Sequence, residues 1–311
     1  KRMNKIFKVI WSKSKQCYVV VSEIAKNKTG KKKIVVAGIF AALALIGPLQ
    51  SVQAVDGAGS KAGFSNAASG VNFNSTQGLA IGLSNGDKTS ANGNVSTVAI
   101  GAHSNASGSS SVAIGGAVVN GAGAIGLGWS TATGDNAVAL GGTGTTKANG
   151  NNAFAASGGS ASGESAIAIG ASATANSRGG IAVGWNSESA VNAVGIGFNA
   201  KAKANNTVAI GVQANNDNAI SNNYSSVSVG VATRARAVGS MAMGVSADAS
   251  GKYSIALGSG EVSGDYTANA NYPKATGEKA IAIGYNSNSS NANATAIGAG
   301  ATASGTDSFA G

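Results

Sequence analysis

In the segment "SVAIGGAVVNGAGAIGLG", residues 111–128, Gly121, Gly123 and Gly126 stand in the order G-x-G-x-x-G. Glycines so spaced cradle the phosphates of a dinucleotide when a strand precedes them, a helix follows and an acid lies about 20 positions on. Here the next residues are "WSTATGDNAVALG", which start another strand pattern and no helix. Gly126 therefore reads as the close of a repeated phrase, 11 residues after Gly115 and 15 before Gly141, with Gly121 and Gly123 as its turn.

Other chemistry-bearing residues are sparse. His103 is the sole histidine, so no histidine pair or triad exists, and its place just after Gly101 reads as an exposed turn. Cys17 is the sole cysteine. The acids beyond residue 54 are scattered singly, against a catalytic carboxylate pair. "GGTGTT", residues 141–146, lacks the aspartate of glycine-rich calcium repeats. No catalytic residue, cofactor site or metal site is expected, and the chain is read as a non-enzyme.

What must be explained instead is composition. Of 311 residues 47 are glycine, 5% are aromatic and 11% charged, so any core must be thin and regular. The formal charge of +10 is confined to one end. Residues 1–54 hold eleven Lys/Arg and one acid, Glu23, which leaves eleven of each sign in residues 55–311. That balance carries no electrostatic footprint for a nucleic acid.

The basic end is an export address. Lys31, Lys32 and Lys33 precede an apolar run from Ile34 to Ile46 that is too short to span a bilayer, and Val52, Gln53, Ala54 close it. Cleavage is expected after Ala54. Residues 31–54 form the signal core, residues 3–26 an extension before it, and residues 55–78 an N-terminal cap on the repeats that begin at residue 79.

From residue 79 onward a phrase of apolar, small, apolar, glycine returns. It includes Val98, Ile100 and Gly101; Val112, Ile114 and Gly115; Ile167, Ile169 and Gly170; Val208, Ile210 and Gly211; and Ile281, Ile283 and Gly284. Successive glycines lie 14 apart at 101 to 115, 170 to 184, 197 to 211, 230 to 244 and 284 to 298. A fixed period of this length with point insertions is the signature of a stacked solenoid. The glycine ends each strand where the chain must turn sharply.

A second alternation comes after each glycine. Positions three and five beyond it are small, as in Ala173 and Ala175, while four and six are polar, as in Thr174 and Asn176. This is a strand with one wet face. The VAIG strand is apolar on both sides, Val and Ile on one and Ala on the other, so both sides are expected to be buried. A 14-residue coil has a perimeter of roughly 46 Å at about 3.3 Å per residue, which leaves room inside for one layer of side chains. One side of the VAIG strand can pack there; the other needs other chains. An obligate homo-oligomer with VAIG strands around its axis is expected.

Outward basic pairs Lys201/Lys203 and Arg234/Arg236 are candidate ligand contacts. Glu188 sits one coil before Lys201 and Asp248 one coil after Arg234, so pairing between coils about 4.8 Å apart is the default reading. The insertion between Gly258 and Gly284 carries Tyr266, Tyr272, Pro273 and Lys274, an aromatic and basic loop cluster and a further candidate contact.

These residues resemble a known family. "NTVAIG" (206–211), "STVAIG" (96–101) and "SSVAIG" (110–115), behind the block "IFKVIW" and the block "VVVSEIAK", are similar to the head of trimeric autotransporter adhesins of the Yersinia adhesin (YadA-like) type with its extended signal peptide. The resemblance implies an all-β, left-handed parallel β-roll of about 14-residue repeats, homotrimeric, exported to the surface of a Gram-negative bacterium. It implies binding of collagen or other host matrix proteins, and self-association. It also implies a stalk and an outer-membrane anchor, which residues 79–311 do not contain; a truncated head is the expectation.

A structural surface or biofilm protein without a host receptor is the alternative. A β-helix acyltransferase fits poorly, because hexapeptide units give coils of 18. An ice-binding solenoid needs a flat row of threonines, and the outward positions vary among Lys, Arg, Glu, Asp and Asn.

Overall fold

The computed structural model describes residues 7–12, 16–22, 78–81, 89–92, 95–141, 146–214, 225–261 and 270–311. Ala54 and Tyr266 lie outside these residues. The chain divides into two units, residues 1–53 and 54–311. In the first, Phe7–Ser12 and Cys17–Ser22 pair antiparallel, with Trp11 opposite Tyr18 and their ring centroids 4.9 Å apart.

The described strands of the second unit pair only in parallel. Sixteen three- or two-residue strands, one per coil, form a continuous sheet from Leu79–Ile81 to Phe309–Ala310. The short strands of the opposite side form a sheet of nine that ends at Lys201–Ala202 and a sheet of five that begins at Arg234–Ala235. Each coil crosses from one sheet to the other and back, which is how parallel neighbours are reached here without helices. No helix occurs among the described residues.

Which side of the VAIG strand points inward is settled by size. In Ile167–Ile169 the central Ala168 is fully buried while its neighbours are half-buried, and the same pattern holds for Val98–Ile100, Val112–Ile114 and Ile281–Ile283. Alanine faces in; valine and isoleucine face out. Ala166, Ala168, Ala173 and Ala175 fill one coil's interior, all fully buried, and such sets recur along the roll. Some inward hydroxyls donate to a nearby carbonyl, as Ser111 to Gly108 O at 2.6 Å and Thr207 to Ala204 O at 2.6 Å, whereas those of Thr97, Ser226 and Ser254 in the same slot have no hydrogen-bond partner. A buried hydroxyl without such a partner is costly.

Both turns of a coil use the left-handed region. The closing glycine has φ 128° at Gly211, and Asn186 and Asn199 follow at φ 53° and 54° two residues after their own closing glycines. Asn192 and Asn206, at 51° and 55°, serve the turn before the next long strand. Asparagine tolerates this region better than most residues and adds a ladder: Asn186 Nδ2 donates to Asn199 Oδ1 at 2.9 Å.

The structure corrects the frame at one place. Gly126 does not close a phrase: it is the central residue of Ile125–Leu127, in register with Ala113 and Ala139. The closing glycine is Gly128, and register steps of 13 run from Val112 to Ile125 and from Ile125 to Val138. Gly121 and Gly123 do lie in the preceding turn. A further coil carries no phrase at all: Phe154–Ala156 stands in register between Val138 and Ile167.

Candidate functional site

The outward side of the long sheet is an apolar face. Val98, Val112, Ile167, Val208 and Ile281, and beside them Ile100, Ile114, Ile169, Ile210 and Ile283, form two columns along the stacked coils. Along these columns Leu79, Ile81, Ile125, Leu127, Ile196, Ile210, Met243 and Ile297 remain 37–44% exposed. A contiguous apolar patch of this kind marks an interaction surface. Covering one such side chain contributes about 1.5–3 kcal/mol when burial is complete.

The outward side of the short strands is polar and carries the basic residues singled out from the sequence. Glu188 stands in register with Lys201, whose Nζ donates to its Oε1, and Lys203 Nζ lies 3.9 Å from its Oε2. Arg234 stands in register with Asp248, and Asp248 with Lys274. Asp248 Oδ2 takes charge contacts from Arg234 Nε at 3.2 Å and Arg236 Nη2 at 3.3 Å. The two basic pairs thus both lie against an acid on a neighbouring coil, and Arg236 and Lys203 remain about half exposed.

Asp248 differs from the other outward polar residues because it is buried, at 7% exposure. It lies between Arg234 on one neighbouring strand and Lys274 of the insertion on the other. The Tyr272 ring lies 5.0 Å from the Arg234 guanidinium carbon and 4.6 Å from Lys274 Nζ, so two cations share one aromatic ring. Pro273 is fully buried and its carbonyl accepts from Asp248 N at 2.9 Å, while Lys274 opens the strand Lys274–Ala275. The cluster read as a free loop is therefore partly built into the sheet. At its other end Tyr285 Oη donates to Glu261 Oε1 at 2.8 Å, and this bond holds the phenol above its ordinary value of 10.0.

The remaining chemistry-bearing residues do not converge. His103 is exposed in a turn at φ 63°, its ring centroid 5.0 Å from that of Trp129. Among the described residues no group of three or more His, Cys, Asp or Glu side chains could hold a metal ion. What sequence reasoning missed is an apolar corner. Trp185 and Phe198, each directly after a closing glycine, stack with centroids 4.9 Å apart and 15° between planes. The signal was present as a bulky residue at a fixed offset from the phrase, but periodicity alone gave no reason to separate it from the turn.

Comparison with known families agrees with this geometry. Residues 3–51 match the extended signal peptide of the Type V secretion system. Residues 93–117, 120–143, 161–187, 189–214, 235–260, 275–301 and 289–310 match the YadA head domain repeat, together more than half of the chain. Among curated proteins no sequence matches.

Proposed function

Since the chain belongs to the YadA head-domain family and carries the extended signal peptide of the Type V secretion system, we propose that it is the adhesive head of a trimeric autotransporter, exported to the surface of a Gram-negative bacterium. The observation that carries this reading is the two-faced roll. One sheet offers an uncovered Val/Ile surface and the other a polar, charged one. Three copies with their Val/Ile columns at a common axis would bury the first and leave the second outside.

The outer surface then meets the ligand, a host matrix protein such as collagen. Lys203 and Arg236 present exposed cations there, and Tyr272 with Lys274, together with Tyr266, supplies the aromatic and basic material of the insertion. Such a role needs no cofactor and no reacting group. Binding would be spread over many weak contacts along the repeats, as expected of a solenoid surface.

Light scattering on the processed chain tests the assembly: a homotrimer is the expected result, and a stable monomer overturns it. Adhesion of that trimer to immobilised collagen tests the ligand. Loss of adhesion in Tyr266→Ala with Tyr272→Ala, with the trimer intact, supports the insertion as a contact. A trimer that adheres to no matrix protein would instead leave a structural coat without a receptor.

A further inference from the structure

The apolar face is not of constant width. Its two columns are the first and third residues of the long strand; the residue after the closing glycine is small in some coils, as Ala102, Gly116, Ala171 and Ala299, and large in single coils at Trp129 and Tyr285. Over five successive coils that position is large and apolar: Trp185, Phe198, Val212, Val231 and Val245. Backbone bonds run up this corner without a break. Asn199 N donates to Trp185 O at 2.8 Å, Gln213 N to Phe198 O at 2.8 Å, Ala232 N to Val212 O at 2.9 Å and Ser246 N to Val231 O at 2.8 Å. Beside them stand Ile181 and Val183, and four coils on Met241 and Met243, so the face is three columns wide from residue 181 to residue 245.

We infer that this corner column widens the contact between copies of the chain, resting on the reading above that the Val/Ile columns meet at an axis. Three observations select a second copy as the occupant. The column is continuous with the apolar columns and carries no charge over five coils, whereas the ion pairs Lys201–Glu188 and Arg234–Asp248 of the same coils lie on the other sheet. Trp185 and Phe198 are 52% and 45% exposed even though they stack on each other, so the chain itself does not cover them. Among the described residues the opposite corner has no continuous apolar column: Arg178, Val191, Asn205 and Val238 stand at the matching position of its turns. In a ring of identical chains unlike edges meet, so a one-sided apolar edge has a place to go. Aromatic side chains supply the most contact area per residue in such seams.

The test compares Trp185→Ala with Phe198→Ala, as a double variant of the processed chain, with Tyr285→Ala, the same position in a coil whose neighbour carries Ala299. Alanine is native at this offset elsewhere, so the roll should fold; circular dichroism verifies it. Sedimentation equilibrium should show the double variant dissociating at a protein concentration at least tenfold higher than the parent, and Tyr285→Ala within twofold. With Trp129→Phe in the background, Trp185 emission should shift to the red on dissociation. A double variant that dissociates as the parent does, or that keeps its assembly and loses only matrix adhesion, overturns the inference. A separate variant, Val208→Asn with Ile210→Asn, keeps the two readings apart. If it leaves the oligomer intact, the axial packing itself is wrong; if it dissociates while the corner variant does not, only the corner assignment falls.

Discussion

Val119 and Gly126 share one slot of the interior. Val119 is the largest of the fully buried side chains, and a β-carbon placed on Gly126 would lie 2.6 Å from its Cγ2 and 2.9 Å from Ala117 Cβ. Elsewhere the residue at the position of Gly126 is usually alanine, as in Ala113 and Ala139 on either side. Here the extra methyl groups come from the other sheet, and the glycine makes room.

Gly126→Ala should therefore destabilise the roll by about 1–3 kcal/mol through overpacking. Val119→Ala in the same chain should recover much of that loss, because the pair would then match the alanine-filled coils. Thermal unfolding of the two single variants and the double variant measures the coupling. Additive losses would show that the two side chains do not compete for space.

The two acids of the outer sheet should differ in what their loss costs. Asp248 is nearly buried against Arg234 and Arg236, its side chain 10% exposed, so Asp248→Asn removes the carboxylate that both cations share, at a cost of about 3 kcal/mol. Glu188 is 36% exposed, and Glu188→Gln should cost about 1 kcal/mol or less. Denaturant midpoints of the two variants give the comparison; equal losses would contradict it.

Closing glycines are not equally demanding. Gly115 has φ 72°, and its missing β-carbon would meet nothing nearer than 3.6 Å, so Gly115→Asn should cost about 1–2 kcal/mol at most. Gly211 has φ 128°, and a β-carbon there would come within 2.1 Å of Gly230 O in the next coil. Gly211→Asn combines backbone strain with a clash against backbone and should cost more than about 3 kcal/mol. Yield and unfolding midpoint of each purified variant test the ranking.

Tyr285 should ionise above pH 10, because its hydroxyl is the donor to Glu261 and the negative charge beside it opposes a phenolate. A raised folded value means that the contribution of this bond is complete below pH 10 and is lost as pH climbs through the folded value. Near-ultraviolet absorbance titration, compared with that of Tyr285→Phe, should place Tyr285 above 10, and Glu261→Gln should return it toward 10. Added salt should shrink the difference, since the pair is exposed.

The period, the two strands per coil, the export signal and the register of Glu188 with Lys201 and of Arg234 with Asp248 were all legible in the sequence, because a solenoid repeats its local pattern at a fixed offset. Three things were decided only in the folded coil. The VAIG strand is apolar on both sides, so alternation could separate its two faces without saying which faces in; the narrow cavity selects alanine and turns valine and isoleucine outward. Gly126 looked like a closing glycine because "AIG" matches the phrase, yet the space beside Val119 makes it a strand residue and leaves the turn to Gly128. Phe154–Ala156 offered no phrase, and only pairing with Val138 and Ile167 on the adjacent coils made it a strand. Local pattern sets the repeat; volume and stacking, which join residues a full coil apart, set which residue fills each place in it.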